Sequence, residues 1–215
     1  RKGAFMAGTD RFEITIKGKG GHGAYPHVTK DAIVIGSEVV SQLQNIISRR
    51  IDPLQTAVIT VGIFEAGTSF NVIAEQAKLT GTVRYLDANI QQVVREEMER
   101  VVKGICEANG ANYELDYFVG YPPLVNHDKE TDIVFEAASK VEEIKEAVEV
   151  NPQMGGEDFA YYVQAKPGAF FFTGAQKETD NYPHHHPKFD FDERAMPIAA
   201  KMLISAYFTY QEKHP

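Results

Sequence analysis

Two long helical periodicities, each set between segments that alternate, constrain this chain more than any other feature. Across residues 31–50 the apolar positions Ala32, Ile33, Ile35, Val39, Val40, Leu43, Ile46 and Ile47 recur at helical spacing, and Asp31 is suited to open the helix. Across residues 87–110 the stripe is Ile90, Val93, Val94, Met98, Val101, Val102, Ile105 and Cys106, with Asp87 as cap and Gly110 as stop. Cys106 thus reads as a core filler and not as a nucleophile. Residues 11–18 alternate Phe12, Ile14 and Ile16 with Arg11, Glu13, Thr15 and Lys17, the mark of a half-buried strand. Further strands are expected at Val58–Phe64, at Lys78–Leu86 and in "NYELDYFVG", which ends at Gly120. The order strand, helix, strand, strand, helix, strand predicts a ferredoxin-like βαββαβ unit, an antiparallel sheet with both helices on one face.

"YPPLVNHD" marks a boundary, because two prolines break any continuing strand. Beyond it the sequence predicts a helix at Lys129–Val141, a short segment "AVEVNP", the loop "QMGGEDFAYY", an apolar strand "GAFFFTG", a histidine-rich loop and a last helix from Glu193 to about Gln211. One convincing strand is too few to close a core. The chain also opens on Arg, so the expectation is a piece of something longer.

The composition narrows the partners. Of 215 residues 43% are hydrophobic and 24% charged, the balance of a globular chain. A net charge of −8 argues against nucleic acid or an anionic membrane surface as partner. With one cysteine no intrachain disulfide forms, which favours a reducing, cytoplasmic setting. No apolar run approaches the roughly 20 residues of a membrane span, and no secretory signal opens the chain.

The residues richest in ligand chemistry are His184, His185 and His186, between two prolines and ahead of "KFDFDE". Imidazole is the commonest ligand for borderline divalent metals. Neighbouring side chains in an extended segment diverge, so the three cannot all face one ion. A solvated loop is the plain alternative. The doublets Glu96–Glu97 and Glu142–Glu143 read as solvated faces of charged helices, and His27 and His127 as surface residues.

Five stretches, "AGTDRFEITIKGKGGHGAYPH", "NVIAEQAKLTGTVR", "MGGEDFAYY", "FFFTGA" and "HHHPKFDFDE", resemble in order and separation the co-catalytic metallopeptidase family of aminoacylases, hippurate hydrolases, plant indole-acetyl-amino-acid hydrolases and related carboxypeptidases. The resemblance covers nearly the whole chain. It implies an α/β protein: a ferredoxin-like lid and dimerisation domain at 11–120, preceded at 1–10 by the end of an N-terminal catalytic segment. Residues 121–215 would then be the C-terminal part of an incomplete α/β metallopeptidase catalytic domain.

The implied activity is metal-dependent hydrolysis of a small N-acyl amino acid by a metal-bound water that a glutamate deprotonates. Two divalent ions are implied, manganese or zinc, with cobalt or nickel as alternatives. The general base and most ligands are not among these residues, so this chain alone is expected to hold the ions weakly and to be inactive.

The resemblance also assigns residues. His185, two before Pro187, matches the late metal ligand, with His186 the alternative if the register slips by one. The usual apolar residue before that ligand is His184 here. His22, in "GKGGHGA", matches an imidazole that reaches across a homodimer to stabilise the oxyanion. A loop histidine with no task is the bland alternative. Asn71 and Arg84 match residues that bind the substrate carboxylate or scissile carbonyl, with an outward strand position in a surface ion pair the lesser alternative for Arg84. Ala74 replaces the usual proline after "NVI". Gly155, Gly156 and Glu157 match a loop beside the substrate pocket, with helix capping the alternative for Glu157. The competing function is a non-enzymatic ligand-binding or dimerisation module, since ferredoxin-like units serve as both. Such a module needs none of this set.

Overall fold

The computed structural model describes residues 1–214. Its elements are β1 (Gly3–Met6), β2 (Gly8–Lys17), β3 (Gly21–His22), a 3-10 turn (Pro26–Val28), α1 (Ala32–Arg49), β4 (Ala57–Ala66), β5 (Val72–Ile73), β6 (Gln76–Tyr85) and α2 (Ala88–Ala108). They continue as β7 (Asn112–Val119), β8 (Leu124–Asn126), α3 (Asp128–Ser139), α4 (Ala160–Ala165) and α5 (Ala195–Lys213). The chain forms two compact units. One holds Ala4–Leu124 with Pro152–Tyr161; the other holds Arg1–Gly3, Val125–Asn151 and the chain from Tyr162 onward.

The first unit is a four-stranded antiparallel sheet in the order β4-β6-β2-β7, with α1 over β4 and β6 and α2 over β7. This is the expected βαββαβ arrangement. Phe12, Ile14 and Ile16 point from β2 into the core, where they meet Val39, Leu43, Val94, Met98 and Val102 from the helices. Each such side chain, fully removed from water, contributes about 1.5–3 kcal/mol. Cys106 lies in this core and burial pushes its thiol up, consistent with a packing role. The opposite face carries charge: Glu13 pairs with Lys78 at 2.7 Å.

Both caps form as expected. Asp31 accepts the backbone N–H of Ile33 at 2.9 Å, and Asp87 accepts that of Asn89 at 2.9 Å. Gly110 ends α2 at φ +63, the left-handed conformation favoured after a helix. Strand β2 starts at Gly8, three residues before the alternation becomes obvious, because Gly8–Asp10 pair with Val83–Tyr85. β4 is an edge strand, and its register shifts between Val61 and Ile63.

The second unit packs α3 on α5 through Ala137, Ala138 and Met202, and the Ser205 hydroxyl donates to Ala137 O at 2.9 Å. Here two expectations fail. "GAFFFTG" forms no strand among the described residues. In place of a ladder the Asn126 side chain donates to Phe170 O at 2.9 Å and accepts from Phe170 N at 2.7 Å, so one amide substitutes for a strand partner. His127 is not a simple surface residue: it is half-buried, and its Nδ1 accepts from Gly168 N at 3.2 Å. The last helix begins at Ala195, because Asp192 caps the turn before it by accepting Arg194 N at 3.0 Å.

Candidate functional site

His22 lies in the two-stranded ribbon β3–β5, opposite Val72, and Gly23 N donates to Asn71 O at 2.9 Å. The backbones approach so closely that a Cβ at Gly20 would stand 2.9 Å from Ile73 O, which is why glycine leads into the ribbon. The His22 ring is exposed and tilted against Tyr25 at 5.4 Å, with its Nδ1 accepting Ala24 N–H at 3.1 Å. An accepting Nδ1 leaves the proton of the neutral ring on Nε2, a donor facing solvent. Asn71 is exposed, and its Oδ1 accepts from Ser69 Oγ at 2.9 Å, which leaves its amide N–H groups available to donate. The ribbon and the residue that leads into it thus carry two exposed donor side chains of a kind suited to a carbonyl or carboxylate oxygen. Phe70, beside Asn71, is 103% exposed and adds an apolar surface to them.

Arg84 lies on β6 between Thr9 of β2 and Val58 of β4 and is half-buried. The alternative of a surface ion pair is not realised: among the described residues no carboxylate pairs with it. Instead Gly156 packs on the Thr9 side chain, and a Cβ built at Gly156 would stand 3.4 Å from Arg84 Nη1 and collide with the Thr9 methyl. The glycine loop is attached to this unit, not to the segment around it in sequence. Ala7 N donates to Gln153 O and Gly155 O at 3.0 Å each, and Gln153 N donates to Phe5 O at 2.8 Å. Glu157 is half-buried and caps locally, its Oε1 accepting Phe159 N at 3.2 Å.

These two groups sit at opposite ends of the sheet. β6 runs from Gln76, beside the His22 ribbon, to Arg84, and eight strand residues span about 27 Å. One copy of the unit therefore cannot bring His22 and Asn71 to a ligand held by Arg84. Spacing in the sequence gives no hint of this, since Asn71 and Arg84 are close along the chain.

In the second unit the three histidines part as adjacent side chains must. His184 meets Phe189 edge-on at 4.8 Å, and His186 stacks on Tyr182 at 4.5 Å with Nδ1 accepting Lys188 N–H at 3.1 Å. His185 is exposed, and its ring makes no hydrogen bond or ring contact among the described residues. It sits at φ +67, a left-handed conformation costly for a residue with a Cβ. Asp190 and Asp192 are engaged elsewhere. Lys177 pairs with Asp190 at 2.8 Å, and hydrogen bonds from Arg194 hold the Asp192 carboxyl down at about 2. Among the described residues no three of His, Cys, Asp and Glu converge, so these side chains do not by themselves compose a metal centre. No described helix is long and apolar enough to cross a membrane.

Comparison with known proteins fits this arrangement. Residues 7–109 match the peptidase dimerisation domain family. A Bacillus subtilis protein named as an amidohydrolase is 53% identical over 99% of this chain and 54% of its own length. The N-acetyldiaminopimelate deacetylase of Priestia megaterium is 39% identical over 98% of this chain and 55% of its own length. Among solved structures, a Staphylococcus aureus protein described as an aminohydrolase superposes with a TM-score of 0.84 at 38% identity, over 97% of this chain and 54% of that one. A dinuclear metal-binding peptidase of the M20 family from Bacillus subtilis gives 0.73 at 34%, over 96% and 51%. The chain spans about half the length of the curated relatives it matches. It belongs to the M20 family of peptidases and amidohydrolases, and its βαββαβ unit is that family's dimerisation domain.

Proposed function

We propose that the whole protein hydrolyses N-acyl amino acids as a metal-dependent homodimer. In this reading residues 11–120 are the lid, 1–10 the end of a preceding catalytic segment and 121–215 the C-terminal catalytic part. The observation that carries it is Arg84: a half-buried guanidinium without an acidic partner among the described residues, facing the backbone of Gly156. A guanidinium held without a counter-ion is suited to an incoming carboxylate, and a glycine wall leaves room for the ligand's own backbone. Gly155, Gly156 and Glu157 then shape the rim of the carboxylate subsite. His22 Nε2–H and the Asn71 amide supply the donors for the scissile carbonyl, delivered from the second subunit because one sheet is too long to bring them together. His185 supplies one metal ligand. That a related peptidase is dinuclear supports divalent ions.

Substrate pairs that differ only at the carboxylate test this reading. Arg84→Ala in the whole protein should raise KM for an N-acetyl amino acid about 10- to 100-fold, the cost of one charge-assisted contact, and leave KM for the matching N-acetyl amino acid amide unchanged. Equal effects on acid and amide would remove Arg84 from carboxylate recognition.

A further inference from the structure

We infer that Asp10, buried behind Arg84 and unused in the proposed chemistry, is a positioning residue that fixes the glycine loop against the Arg84 guanidinium. This inference rests on the carboxylate-subsite reading above. Asp10 is only 3% exposed, and no Lys, Arg or His lies in hydrogen-bond contact with it among the described residues. Its two oxygens instead take four neutral donors. Oδ1 accepts from Gly120 N at 2.9 Å and the Tyr85 hydroxyl at 3.2 Å; Oδ2 accepts from the Tyr117 hydroxyl at 2.8 Å and Gln91 Nε2 at 2.9 Å. Those donors come from β6, β7, α2 and the residue that follows β7, so one carboxylate ties four parts of the unit together. Burial first, and the Asp10 charge with it, pushes the hydroxyls of Tyr85 and Tyr117 up, which keeps both protonated as donors. A carboxylate has about four lone pairs to offer, and all are taken.

The route from Asp10 to the subsite is short. Its grip on Gly120 N fixes Gly120 and Tyr121. The Tyr161 hydroxyl donates to Gly120 O at 3.3 Å, and the Tyr121 and Tyr161 rings meet edge-on at 6.1 Å. Tyr161 ends the segment that began at Pro152 and carries Gly155 and Gly156. The segment's start is held by Ala7, its end by Tyr161 on the Gly120 turn. Between these two anchors Gly156 rests on Thr9, the strand neighbour of Asp10. A role confined to tying the sheet together would need no link to this loop.

The test measures KM for an N-acetyl amino acid and for its amide in the whole protein carrying Asp10→Ala, Asp10→Asn, Tyr161→Phe or Tyr161→Ala, with Arg84→Ala in parallel. Asp10→Ala should raise KM for the acid about tenfold, leave the amide unchanged and keep kcat within about threefold, the size of one lost polar contact at the subsite. Asp10→Asn keeps an acceptor for Gly120 N and should restore most of the loss. The Tyr161 variants break the same route one link later and leave the buried carboxylate intact, so they report even if Asp10→Ala fails to fold. Faster amide exchange across residues 153–161, in those variants that fold, is the accompanying structural readout. Equal shifts for acid and amide, or Tyr161 variants that leave the acid untouched, would overturn the inference. If Arg84→Ala alone is acid-selective, the positioning role falls and the subsite stands; if Arg84→Ala is also without effect, the subsite itself falls.

Discussion

At the scale of single residues the histidine loop separates three neighbours by what their rings already do. His186 spends a face on Tyr182 and Nδ1 on Lys188 N, and His184 rests on Phe189. Among the described residues His185 alone of the three has neither a hydrogen bond nor a ring contact, in a backbone conformation that costs of order 1–3 kcal/mol and persists where the surroundings impose it. His185→Ala should therefore strip divalent metal from the whole protein, whereas His184→Ala should leave occupancy near wild type. Elemental analysis of the purified variants decides between them. Loss on His184→Ala or His186→Ala with retention on His185→Ala would move the ligand along the loop. The sequence could place this ligand only through the histidine's distance from Pro187. Which ring is free depends on aromatic contacts that chain order does not encode.

At the scale of elements, legibility followed periodicity. Both helices of the first unit and all four strands of its sheet carry a repeat long enough to read, and each appears where the repeat predicts it. The ribbon β3–β5 is not legible in the sequence, because two-residue strands have no period; the glycines that admit it are the available signal. "GAFFFTG" misleads in the other direction: an apolar run predicts a strand, but a strand exists only where a partner offers its backbone. The attachment of Pro152–Tyr161 to the first unit rests on backbone bonds to Phe5 and Ala7 and on the Tyr161 hydroxyl donating to Gly120 O, which have no sequence signature. One helical position remains unoptimised. Gly104 lies on the exposed face of α2, and a Cβ there meets nothing within 4 Å. Gly104→Ala should stabilise the chain by about 0.5–1 kcal/mol, the difference in helix propensity, measured as a shift in urea midpoint at constant slope. A loss of stability would mean that another surface packs on this face.

At the scale of the whole molecule the decisive length is that of the central sheet. About 27 Å of strand separates the Gln76 end of β6, next to the His22 ribbon, from Arg84. A substrate with one acyl bond and one carboxylate spans far less, so a site that uses both groups must draw them from two copies. The first unit has two sheet edges, β4 and β7, and β4 exposes Ile63 at 50% and Phe64 at 40%, an apolar edge open to a two-fold mate. His22→Ala in the whole protein should lower turnover about 100- to 1,000-fold, the usual cost of one oxyanion donor, with metal content and dimer unchanged. The sharper experiment mixes two inactive proteins, one carrying His22→Ala and the other His185→Ala. In a mixed dimer one site would combine an intact metal ligand from the first subunit with an intact His22 from the second, while the other site would lack both. Activity should return toward half that of the wild type as differently tagged subunits exchange. Mixed dimers that form and stay inactive would confine His22 to its own subunit, and the composite site would have to be abandoned.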